Sequence, residues 1–331
     1  MITSPRAQLE QTGGLRSVSL RLSVCIPCYV EPPEVLQTAI DSAAMQLPEE
    51  GELLIFPNGP EALAATESVT IPEDARVIPS KELLSMAGNW NRCLGESRGE
   101  LIHILHADDA VAPGFYQAVL ELAARYPQAA LYATGCGPLV EGAPASMRTQ
   151  AGETRLLAGE AAGRFLLEGE RHCCGSVVIS RWAVRRQGPF RDRYLYGPDE
   201  EAYLRYAAAG DLAFETRHLY LERAHSKQNR TTAWLKDDFV ATYMKGRGDG
   251  ARLFGEAIAQ VAKDSTARRV ISVAVTLALL GDGASALRRL RDLAHAYPEC
   301  SSWPRYRLAK FACEFRAARL AARLRRRYLL P

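Results

Sequence analysis

Along the first two thirds of the chain, short apolar blocks alternate with longer stretches whose apolar residues recur at helical spacing. LRLSVCI, residues 20–26, reads as a strand that Pro27 stops. PPEVLQTAIDSAAMQ then opens with prolines tolerated at a helix start and places Val35, Leu36, Ala39, Ile40 and Ala43 on one face. ELLIF, ARVIP and LIHIL repeat the strand signal; LLSMAGNWNRCLGES and FYQAVLELAARYP repeat the helical one. AALYATG is a further strand, residues 137–160 are rich in Gly, Pro and polar residues and predict a loop with short extended pieces, and AAGRFLLEG, CGSVVIS and DEEAYLRYAAAG predict helix, strand and helix. Strands this apolar, separated by helices, predict an α/β domain with a mostly parallel sheet covered on both faces. Its ligand crevice is expected at the carboxyl ends of the strands.

From about Thr231 the pattern turns mainly helical. The longest apolar run, Val270 to Leu280, falls short of the roughly 18 residues a spanning helix needs and predicts a buried helix. Three segments are expected: a flexible stretch 1–19, an α/β domain 20–230 and a helical region 231–331. The last ends in FRAARLAARLRRRYLLP, with six arginines and no acid. On a helical wheel Arg316, Arg319, Arg323 and Arg327 gather opposite Leu320, Leu324 and Tyr328, so this helix either lies on an anionic membrane surface or packs its apolar side on the preceding helices.

A hydrophobic content of 47% and a charged content of 24% exclude disordered and collagen-like classes. The net charge of +3 gives no reason to expect nucleic acid as a partner. The opening MITSPRAQLEQTGGLRS has no apolar stretch of the signal-peptide kind, and eight cysteines are scattered without an export signal, which predicts buried thiols in a reducing cytoplasm. Cys25 and Cys28 form a CIPC unit inside a strand, not at a helix start, and no second pair completes a zinc site.

The chemistry concentrates in LIHILHADDAVAPGF, residues 101–115, which ends a buried strand on two adjacent carboxylates. Like charges there repel and lose hydration unless a cation or hydrogen bonds compensate. A divalent cation bridging a diphosphate is one compensation, since Mg²⁺ and Mn²⁺ favour oxygen ligands. A capped turn ahead of Pro113 is another.

SVCIPCY, NWNRCLGESRGELIHILHADDAVAPGF, GSVVISR and GPDEEAYLRYAAAGD follow one another over roughly residues 20–225, and in that order the chain resembles a family 2 glycosyltransferase with the GT-A fold. The resemblance implies an inverting transfer of a sugar from a nucleoside-diphosphate donor, most often a UDP-sugar, to a hydroxyl of a saccharide or lipid-linked saccharide. It implies a divalent metal, Mg²⁺ or Mn²⁺, and a place in polysaccharide or glycolipid biosynthesis, in the cytoplasm or at the inner face of the membrane. An oligomer is compatible with the sequence. The alternative is a catalytically silent GT-A-like protein that binds a nucleotide sugar or a partner.

By the same resemblance Pro27, Tyr29 and Glu31 contact base and ribose, and Asn58 stands where relatives carry a base-contacting aspartate. His106 and Asp108 occupy the outer positions of the metal motif, with Asp108 the primary ligand; Asp109 either binds sugar hydroxyls or braces the loop. Asn91 is placed ahead of Asn89 as the donor-contacting asparagine, with Trp90 as packing. Asp199 matches the catalytic carboxylate at a helix start, with Glu200 its competitor and an ordinary N-cap the structural alternative. His225 completes the metal shell and Lys227 or Arg230 neutralises phosphate, unless RAHSKQNRTT is a polar interdomain loop.

Overall fold

The computed structural model describes residues 21–139, 152–169, 172–224 and 238–315. His225, Lys227, Arg230, the segment 1–19 and the basic tail beyond Phe315 lie outside the described residues.

Among the described residues nine strands form one sheet: β1 (Leu22–Cys28), β2 (Gly51–Pro57), β3 (Arg76–Val77), β4 (Leu101–Ile104), β5 (Ala110–Val111), β6 (Leu131–Pro138), β7 (Thr154–Leu157), β8 (Val177–Ser180) and β9 (Leu212–Glu222). Their order is β3-β2-β1-β4-β8-β6-β9-β5, with β7 paired to β9. The first half, β3-β2-β1-β4, is parallel throughout. The second half is mixed, because β8 enters between β4 and β6 antiparallel to both. Successive strands step outward from β1 to β3 and then return to the far side of β1 with β4, which creates a switch point where ligands bind in open α/β sheets.

Helices α1 (Pro33–Ala44), α2 (Pro60–Glu67), α3 (Met86–Glu96), α4 (Phe115–Arg125), α5 (Glu160–Glu168), α6 (Arg181–Gln187) and α7 (Pro198–Ala209) surround this sheet. Side chains of β1 alternate between two cores: Val24 and Ile26 join Leu36 and Ile40 of α1, whereas Cys25 joins Trp90 and Leu94 of α3. Coverage on both faces explains why β1 and β4 read as apolar runs with no alternation. All eight cysteines are free thiols.

The C-terminal helices are α8 (Phe239–Ala251), α9 (Glu256–Leu279), α10 (Gly283–Ala296) and α11 (Pro304–Phe315). The helical pattern is broken at Gly255, whose φ of 106° lies in the left-handed region. The first half of α9 belongs to the α/β core through Ile258 and Ala262, and its second half forms a separate core with α8, α10 and α11 through Val270, Ile271 and Ala274. Among the described residues no helix is long and apolar enough to cross a membrane.

One buried ion pair fixes the base of α7. Glu201, 1% exposed, holds Arg205 through two hydrogen bonds of 3.0 and 3.1 Å and receives a third from Arg191 at 2.9 Å. Arg205 in turn donates to the carbonyls of Gly188 and Pro189, so the loop before α7 is tied to the helix. Glu201→Ala leaves a guanidinium 2% exposed without its counter-charge, and is expected to lower stability by about 3–5 kcal/mol in urea unfolding.

Candidate active site

The carboxyl ends of β1, β2 and β4 open into one cavity of about 1610 Å³. At its floor the turn after β4 sorts the two adjacent aspartates into different jobs. Asp109, 4% exposed, accepts a hydrogen bond from the Tyr220 hydroxyl at 2.7 Å and another from the Arg223 backbone N–H at 2.8 Å. Tyr220 comes from β9 and reaches this carboxylate only because residue 175 is glycine; a Cβ there would overlap the hydroxyl. Asp109 thus braces the loop, its charge compensated from within the protein. Asp108 borders the cavity at the tip of the turn.

His106 stands beside this pair. Its ring stacks on Trp90 with centroids 5.9 Å apart and planes 8° from parallel. Nδ1 lies 3.5 Å from Asp109 Oδ2, while Nε2 is buried with no hydrogen-bond partner. Burial opposes charging of this imidazole, but Cys174 and Asp109 outweigh it and hold the pKa well above the usual histidine value, so a cation bound at Nε2 would have to displace its proton. Donor atoms of His106, Asp108 and Asp109 all lie within 4.8 Å of one another. An orphaned imidazole nitrogen beside carboxylate oxygens suits a divalent cation, and a carboxylate behind the other ring nitrogen is the usual support for a ligating histidine.

Asp199 faces the same cavity from the first turn of α7. The N-cap position belongs to Gly197 and Pro198 follows it, so the capping alternative for Asp199 does not hold. Burial raises the Asp199 pKa, the neighbouring Glu200 raises it further, and a hydrogen bond from the Cys174 thiol opposes them in part. Glu200 has the opposite character. It is bonded to the Arg247 guanidinium and to the Tyr243 hydroxyl at 2.5 Å, with Arg269 at 3.4 Å. Burial pushes its pKa up, but Arg247 and Arg269 dominate and lower it, so Glu200 is an ion-paired carboxylate and not a free proton acceptor.

Residues 23–184 match the profile of Glycosyl transferase family 2. The chain carries a family 2 glycosyltransferase domain. S. aureus TarS, residues 1–349, in complex with UDP-GlcNAc has the same fold, with a TM-score of 0.59 at 14% identity over 93% of this chain and 92% of that one. So does the mannosyltransferase PcManGT from Pyrobaculum calidifontis in complex with GDP-Man and Mn²⁺, with a TM-score of 0.54 at 15% identity over 94% and 88% of the two chains. No curated protein sequence matches the chain.

In this glycosyltransferase domain Pro27, Tyr29 and Glu31 line the mouth of the cavity after β1. Tyr29 is 48% exposed and offers a free ring face. Glu31 accepts from the Tyr29 backbone N–H at 2.7 Å; burial raises its pKa and nearby Asp108 adds to that, which puts it toward the metal-motif side of the mouth. Asn58 borders the cavity, yet its amide both donates to Leu84 O at 3.0 Å and accepts from Leu84 N at 2.9 Å, so it chiefly pins the loop before α3.

Asn91 does not line this cavity in the structure. Its amide is closed on the backbone of Phe190 by two bonds of 2.9 Å, whereas Asn89 borders the cavity with its amide bonded to Phe56 O at 3.4 Å and to Arg92 at 2.9 Å. Residues that the sequence did not single out also reach the cavity: Arg223 behind the aspartate turn, and Tyr243 and Arg247 from α8.

Proposed function

We propose that the chain is an inverting glycosyltransferase that moves a sugar from a nucleoside-diphosphate donor to a hydroxyl of a saccharide or lipid-linked saccharide. The observation that carries this reading is the meeting, in one cavity at the switch point of the sheet, of the His106–Asp108–Asp109 cluster with a half-buried Asp199 at the start of α7. Asp108 and Nε2 of His106 would hold a divalent cation, Mg²⁺ or Mn²⁺, with Asp109 behind them. When bound, that cation supplies charge neutralisation for the diphosphate that leaves.

The remaining roles fall to side chains of this chain. Tyr29 and Pro27 seat the base, and Glu31 accepts from ribose or sugar hydroxyls. Asp199 removes the proton of the acceptor hydroxyl as its oxygen bonds to the anomeric carbon; the bond from that carbon to the diphosphate oxygen breaks, and its electron pair leaves with the nucleotide. Attack from the face opposite the leaving group inverts the anomeric centre. Lys227 would add a cation near the phosphates. We assign residues 20–230 to the donor-binding domain and 231–331 to a helical C-terminal region, and the arginine-rich sequence of its tail supports contact with an anionic membrane.

The test is a panel of nucleotide sugars with Mg²⁺ or Mn²⁺ and no acceptor, read as slow release of nucleoside diphosphate. UDP-sugars are expected to be hydrolysed first, with GDP-sugars as the competing arm. Donors that bind but release nothing, even with acceptors added, would favour the catalytically silent alternative.

A further inference from the structure

The cavity continues past Asp199. On that side its wall comes from the C-terminal helices, with Tyr243 and Arg247 of α8 and Arg268 and Arg269 of α9 facing Glu168 and His172. A volume of about 1610 Å³ exceeds the roughly 300–1,000 Å³ of a site for one small ligand. The mouth at Tyr29 and Glu31 therefore leaves a second lobe to be filled.

Two independent features describe what fits there. The first is charge: Arg164, Arg247, Arg268 and Arg269, four guanidinium groups, surround two carboxylates, Glu168 and Glu200. Arg247 is committed to Glu200 and Arg269 shares it at 3.4 Å while donating to the Tyr243 hydroxyl at 2.5 Å, but Glu168 is shared between Arg164 at 3.6 Å and Arg268 at 3.8 Å, and the side chains of Arg268 and Arg269 remain 44% and 47% exposed. The second is an unmet polar atom: His172 stacks on Phe165 at 4.8 Å, and its Nδ1 is buried without a hydrogen-bond partner. Burial lowers the His172 pKa to about 4, and Arg247 and Arg269 oppose its charging further against the pull of Glu200, so the ring is neutral. A buried polar atom without a partner calls for a ligand or water to satisfy it.

We propose that this lobe is the acceptor subsite and that it takes a saccharide bearing an oxyanion, a carboxylate or a phosphate, next to the hydroxyl that receives the sugar. This rests on the transferase reading above. Arg268 and Arg269 bind the anion, and His172 hydrogen-bonds a neighbouring hydroxyl through its unmet Nδ1. Asp199 then stands between the two lobes, where the proton must be taken.

The experiment uses the full chain, a donor found by the hydrolysis panel, and acceptors in matched pairs: uronate oligosaccharides beside their carboxyl-reduced forms, and phosphate-bearing saccharides beside their dephosphorylated forms. The acidic member of at least one pair is expected to be glycosylated at least tenfold faster, about what one charge-assisted contact provides; which pair responds tells carboxylate from phosphate. In R268Q that preference is expected to shrink about tenfold through the acceptor KM. Equal rates within every pair, a preference for neutral members, donor turnover with no acidic acceptor used, or an R268Q effect on the donor KM instead would each overturn the proposal. The paired comparison on the parent chain stands even if the variant misfolds. Absence of any donor turnover would sink the transferase reading itself, so the two failures are told apart.

Discussion

Asp199→Asn is expected to cut sugar transfer by roughly 10³-fold while donor binding persists, within the 10²–10⁴-fold range that a positioned proton acceptor contributes. The amide keeps the volume and position of the carboxylate at the start of α7 and loses only the capacity to take a proton. Transfer is measured with the donor and acceptor identified above, and donor binding by titration calorimetry. Because burial and the adjacent Glu200 raise the Asp199 pKa, the carboxylate becomes protonated at a higher pH than an ordinary aspartate. Activity of the parent chain should therefore fall on acidification above the usual carboxylate range, and recover as pH rises. Glu200→Gln provides the contrast. It removes the counter-charge of Arg247, which is 3% exposed, so its expected signature is a stability loss on the order of 3 kcal/mol in urea unfolding. Loss of transfer in E200Q without loss of stability, together with an active D199N, would move the base to Glu200.

The parallel half of the sheet and the aspartate turn at its edge were legible because strands buried on both faces must be nearly all apolar, so the first polar residues after each strand stand out. The long strand β9 was not legible. Glu215, Arg217 and His218 interrupt its apolar run, and its register against β6 shifts around Gly135, so neither continuity nor strict alternation survives in the sequence. With β9 hidden, the partner that neutralises Asp109, Tyr220, could not be seen either. The second half of α8 was hidden for a different reason. KGRGDG looks like loop, yet the helix continues through it because the glycines make room for neighbours: a Cβ on Gly250 would lie 2.8 Å from the Leu204 side chain of α7. Arg247 sits inside that disguised turn. Which of Asn89 and Asn91 borders the cavity could not be read from the sequence. Two residues apart on a helix, the pair points in nearly opposite directions, and only the packing of Phe190 decides which one meets the cavity.

The aspartate pair yields the second large effect. Both Asp109 oxygens are engaged, one by Arg223 N–H and one by the Tyr220 hydroxyl, and Asp108 lines the cavity with its donor atoms within 4.8 Å of those of His106 and Asp109. A cation therefore depends on Asp108 for charge and on Asp109 for the shape of the turn. Asp108→Asn is expected to weaken Mn²⁺ binding and donor hydrolysis by roughly 10³-fold, about 4 kcal/mol, the several kcal/mol that a directly ligating charge supplies. Asp109→Asn should weaken Mn²⁺ binding only about 10–100-fold, as expected for a group that orients a ligand, but should lower the melting temperature more than the Asp108 variant because a buried, doubly hydrogen-bonded carboxylate is altered. Manganese affinity is read by electron paramagnetic resonance of the free ion, and stability by thermal unfolding of the metal-free protein. The two substitutions thus rank in opposite orders on the two measurements. Unchanged Mn²⁺ affinity in the Asp108 variant would show that the cation, and with it the leaving diphosphate, is held somewhere other than this turn.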